Sequence, residues 1–144
     1  MSFLADTAAG IKFFIANHIP AQSEFFAAHA TGINTFGYLL LDIASVFNMR
    51  PQSMHVFYDN RGATIAFNES GALFFNYHWF EQLHLPHFET SRDIRIQAVS
   101  WWWITMCHEL AHNLVKEHSA SHSFYTESFV QQYFLKVMAK IMQY

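Results

Sequence analysis

His108-Glu109-Leu110-Ala111-His112 spells H-E-x-x-H within a helical stretch of a 144-residue chain. Histidines four apart on a helix lie one turn apart on the same face, so both imidazoles can reach one metal ion. The glutamate between them projects to the side of that face, where it can take a proton from a metal-activated water. This is the chemistry of hydrolysis by Zn2+ with a carboxylate base. A chance pairing is the ordinary alternative in a chain with ten histidines. It does not explain three polar groups together beside an apolar helical run. His108 and His112 are therefore expected as zinc ligands and Glu109 as the general base.

A catalytic zinc ion takes three protein ligands and keeps one position open for water. His118 follows His112 by six residues, the histidine spacing of H-E-x-x-H-x-x-G-x-x-H, with Val115 where that pattern has glycine. In a continued helix His118 would be turned about 240° from His112 and face away. It can ligate only if the helix breaks near Val115 to Glu117. Ser119-Ala120-Ser121 supports such a break, because serines favour turns and helix N-caps. His118 is the expected third ligand, with His122 and Glu127 as alternatives. Tyr125 and His122 are candidate transition-state hydrogen-bond donors, although an interfacial role suits Tyr125 equally well. Cys107 points about 100° from the ligand face and reads as a small buried hydrophobe. His78, His84 and His87 are spaced irregularly around Pro86, which favours separate surface roles over a second metal site.

These residues need a scaffold. Thr90 with Asp93 is a plausible N-cap pair for a main helix running roughly from Arg92 to Val115. Its Trp101-Trp102-Trp103 turn reads as core filling on several sides. Upstream, residues 11–18, 23–30 and 34–47 carry helical spacing, divided by Pro20 and ended near Pro51. Short runs at 55–58, 64–67 and 72–76, separated by Asn/Asp/Gly clusters, read as strands of a meander. A closing helix spans about 124–142. The expected architecture is α+β: a three-stranded or slightly larger sheet packed on helices, with the H-E-x-x-H helix central. Ala72, Leu73, Phe74, Phe75 and Asn76 form the last strand before that helix. They are expected as the edge strand to which a peptide substrate adds.

Composition narrows the function classes. Hydrophobic residues make up 52% and charged residues 13%, which argues against disorder. The net charge of -3 and the lack of Lys/Arg clusters argue against nucleic acid as a partner. The longest apolar stretch, residues 98–107, falls short of the ~20 residues of a membrane span. One cysteine cannot form an internal disulfide. Together with an N-terminus that lacks a basic signal segment, this gives an intracellular protein as the expectation. So charge-poor a surface suggests a single domain, residues 1–144, that packs on other domains of a larger chain.

The segment HELAHNLVKEHSASHSFYTESFVQQYF resembles the WLM and SprT-like minimal zinc peptidases, which keep a small sheet, the active helix and one supporting helix. SMHVFYDNRGATIAFNESGALFFN, WWWITMCHELAHNLV and HSFYTESFVQQYF are similar to the C-terminal region of large fungal proteins. Those proteins carry a sacsin-like (histidine-kinase/Hsp90-like) ATPase domain upstream. This likeness covers roughly Met54 to Tyr133. It implies a zincin-like domain cut from a longer chain, zinc on His108 and His112, and catalysis by Glu109. With no basic tail present, action on DNA–protein crosslinks is not carried over. The expected activity is zinc-dependent hydrolysis of peptide bonds in a peptide or protein substrate. The alternative is a zinc-stabilised or relict-site interaction module of a chaperone-like ATPase protein.

Overall fold

The computed structural model describes residues 1–144. It is an α+β fold with a five-stranded mixed sheet and four α-helices. In chain order these are β1 (Ser2–Asp6), β2 (Lys12–Ile15), α1 (Gln22–Val46), β3 (Met54–Tyr58), β4 (Ala66–Glu69), β5 (Ala72–Asn76), α2 (Tyr77–Leu83), α3 (Arg92–Ala111) and α4 (Ala120–Ile141). No helix is long and apolar enough to cross a membrane.

The sheet order is β1-β2-β3-β5-β4. β2, β3 and β5 run parallel, and the outer strands β1 and β4 are antiparallel to their neighbours. The strands at 54–76 are therefore not a meander, because β5 inserts between β3 and β4. The sheet is also larger than a three-stranded one. β2 falls where the sequence reads as helix over 11–18. A run as short as Ile11-Lys12-Phe13-Phe14-Ile15 fits either period. Burial of Ile11, Phe13 and Ile15, with Lys12 exposed and Phe14 only half-buried, decides for the strand.

Residues 23–30 and 34–47 belong to one helix, α1, which passes through Gly32. A side chain at Gly32 would collide with the Tyr77 hydroxyl, so the glycine allows α1 to lie close to the start of α2. The core lies between one sheet face and the helices: Phe13, Ile15, Val56, Leu73 and Phe75 meet Ile33, Phe36 and Leu40 of α1 and Trp102 and Met106 of α3. Phe36 stacks on Phe80 and meets Trp102 edge-on, with centroids 4.7 Å apart in both pairs. α3 thus runs through the domain centre, which fixes where its C-terminal turn emerges. Its N-cap is Ser91, whose hydroxyl accepts from the Ile94 amide at 3.3 Å, not Thr90.

Candidate metal centre

α3 ends at Ala111, four residues earlier than its sequence suggests. His112 is the C-cap, and the Leu114 and Val115 amides turn back to the Ala111 carbonyl at 3.0 Å each. The chain reverses through residues 112–119 and re-enters a helix at Ala120, where the Ser119 hydroxyl accepts from the His122 amide at 3.2 Å. The break needs no glycine.

That reversal returns His118 to the motif. Its Nε2 lies 3.1 Å from Nε2 of His108 and 3.2 Å from Nε2 of His112. Three nitrogens on one tetrahedral zinc ion would be spaced about 3.3 Å apart. The donor chemistry agrees. His118 Nε2 carries at most one proton and cannot donate to both neighbours, whereas a shared cation satisfies all three lone pairs. His112 is held for that role, because its Nδ1–H donates to the Val115 carbonyl at 3.1 Å and leaves Nε2 free.

A fourth imidazole joins the cluster. His122, on the first turn of α4, is only 3% exposed. Its Nε2–H donates to the His108 carbonyl at 3.0 Å, and its ring stacks on His112 at 4.1 Å. His108, His112 and His122 each offer a nitrogen, all within 4.8 Å of one another, so this triad could hold a metal ion. His118 and His122 both pack on the same pair, with their own ring centroids 5.3 Å apart.

Glu109 is 5% exposed, and burial pushes its carboxyl up to about 7 against the opposing pull of His112. His108 is lowered to about 4, first by burial and then by the neighbouring histidines. Burial raises the Cys107 thiol to about 12, as befits an inert core residue.

A cleft of about 730 Å³ opens over His108, Glu109, His112 and His118. Its opposite wall is β4 with the Ser70–Gly71 turn. This corrects the assignment of Ala72, Leu73, Phe74, Phe75 and Asn76 as the edge strand. β5 pairs with β3 on one side and β4 on the other, so β4 carries the free edge. The sequence misleads here because β5 directly precedes the helical region, whereas strand order depends on the crossover through residues 59–65. Asn68 falls in the Asn/Asp/Gly cluster after residues 64–67 that reads as a turn, but it belongs to β4. Its Nδ2 donates to the Glu109 carbonyl and to Asn113 Oδ1, both at 2.8 Å, and its Oδ1 accepts from the Gly71 amide at 2.9 Å. Tyr125 does not line the cleft; it is half-buried on α4 with its ring edge-on to Phe124 at 5.5 Å. Glu127 stands exposed on a shallow groove that begins at His108, His118 and His122, outside the imidazole cluster. His84 is not the surface residue its spacing suggests: it is 5% exposed and accepts from Trp102 Nε1–H at 3.2 Å.

Comparison with protein-family models finds no match, and comparisons with curated proteins and with solved structures find none either.

Proposed function

We propose that this chain is a zinc-dependent peptidase of zincin-like architecture. The observation that carries the reading is the convergence of Nε2 of His108, His112 and His118 beside buried Glu109, in an open cleft walled by an edge strand. His108, His112 and His118 hold the ion, and His122 braces two of them through its bond to the His108 carbonyl and its stacking on His112. When bound there, zinc supplies Lewis acidity to a water and to the scissile carbonyl.

The chain's own residues do the rest. Glu109, buried and adjacent to the ligands, takes a proton from the attacking water and delivers it to the leaving amine. The free edge of β4 offers main-chain hydrogen bonds to an extended peptide, which supports a peptide or protein substrate. A metal-stabilised interaction module is the second reading, and the fourth imidazole favours it: His122 as an additional ligand would close the position that water needs. Metal analysis with a peptide-cleavage assay separates the two. A metal-loaded protein that hydrolyses peptides, and loses this in Glu109→Gln with metal retained, supports the peptidase. A metal-loaded protein that is inert toward all peptides supports the module.

A further inference from the structure

Two grooves meet at the imidazoles. The cleft under β4 shares His108 and His118 with a shallower groove that continues over His122, Thr126 and Glu127. Thr126 and Glu127 in turn border a trough formed by Ile104, Val130, Phe134 and Leu135. The shared residues make one path from the edge strand, over the metal cradle, to an apolar trough between α3 and α4.

Helix geometry accounts for this alignment. α3 and α4 run antiparallel, since His108 meets His122 at 4.4 Å while Trp103 meets Phe134 at 6.4 Å. Ile104 lies one turn before His108 on the same face of α3, and Thr126, Val130 and Phe134 follow His122 at helical spacing. The faces that carry the histidines are therefore the faces that wall the trough. Its side chains are open: Ile104 is 49% exposed, Phe134 48% and Leu135 81%. The β4 side of the cleft presents the polar Asn68, Glu69, Ser70 and Asn113 beside Ala66 and Phe67, and so is more mixed than the trough.

We propose, on the reading of the metal centre as a peptidase, that the trough is its specificity pocket and takes an apolar side chain of the substrate. Ile104 and Val130 lie about 6 and 12 Å along their helices from His108 and His122. An extended peptide advances about 3.3 Å per residue, so the recognised side chain is two to four residues from the scissile bond. It lies on the side leading away from β4, and leucine, methionine or phenylalanine fits the lining.

The test uses the zinc-loaded full chain and Ile104→Glu, which places a charge at an exposed position and leaves the core intact. Products from a mixed peptide library are sequenced by mass spectrometry. Binding of a fluorescein-labelled leucine-rich decapeptide and its serine counterpart to zinc-loaded Glu109→Gln, with and without Ile104→Glu, is read by anisotropy. The expected result is enrichment of apolar residues at those positions on one side only. Ile104→Glu should then lower kcat/KM for a leucine substrate about tenfold or more, while a serine substrate is unchanged. Cleavage with no such preference, or equal loss for both substrates, overturns the pocket and leaves the peptidase standing. Leucine-selective binding that Ile104→Glu abolishes, without any cleavage, supports the pocket and overturns the catalytic reading. Neither cleavage nor binding overturns both.

Discussion

Asn68 and Asn113 are joined by a hydrogen bond of 2.8 Å that ties the free edge strand to the residue just past the second motif histidine. The same Asn68 nitrogen reaches the Glu109 carbonyl, so one side chain fixes the spacing between β4 and the end of α3. Asn68→Ala removes both bonds and the acceptor for the Gly71 amide. At about 1 kcal/mol per bond, it should destabilise the fold by roughly 1–3 kcal/mol. In urea unfolding the midpoint should fall with an unchanged slope, and KM for peptides should rise more than kcat falls. An unaltered midpoint and KM would show that this clamp does not set the cleft.

The carboxylate at 109 can be tested without disturbing the cradle. Glu109→Gln is nearly isosteric but cannot accept a proton. Metal stoichiometry and thermal midpoint should stay at the wild-type level while peptide hydrolysis falls at least ~10²-fold. Wild-type turnover in this variant would remove Glu109 from the mechanism.

The sequence marked the candidate ligands before it showed the scaffold. His108, Glu109 and His112 are local on one helix, and periodicity alone sets their faces. The break that returns His118 could be read from Ser119, which caps α4. The edge strand could not be read, because a crossover decides whether Ala72–Asn76 or Ala66–Glu69 is outermost. β2 was hidden in a run too short to separate the two periods. Asn68 was hidden because its partners lie more than 40 positions away, where no local pattern reaches.

His84 gives a pH-dependent stability. Burial lowers its folded-state pKa below 6.5, and Trp102 donates to its neutral Nδ1. Between that lowered value and 6.5 the unfolded chain binds more protons than the folded one, so stability falls as pH drops through this window. Well above pH 6.5 neither state holds the proton and the group contributes no slope. His55 and His108 are shifted in the same direction. In metal-free protein, His84→Asn, which keeps an acceptor near Trp102, should therefore show a shallower but not flat loss of thermal midpoint between pH 7 and 5. A slope equal to wild type would exclude His84 as a contributor.

The identity of the third ligand separates two neighbouring histidines. His118 presents Nε2 to both His108 and His112 at ligand spacing, whereas the His122 Nε2–H donates to the His108 carbonyl and leaves only Nδ1 for a metal. A first ligand and a brace respond differently to removal. Loss of a bracing residue costs about 10–100-fold in metal affinity and leaves the coordination number intact. Accordingly, His122→Ala should still bind one ion per chain, more weakly, and the visible spectrum of its cobalt form should match wild type. His118→Ala should bind more weakly still, with an altered cobalt spectrum as water takes the vacated position. His108→Ala and His112→Ala should not retain metal through dialysis and should unfold at lower temperature, since binding energy is folding energy at such a site. If His122→Ala abolishes binding while His118→Ala keeps wild-type affinity and spectrum, the cradle is His108, His112 and His122, and His118 becomes a loop residue beside it.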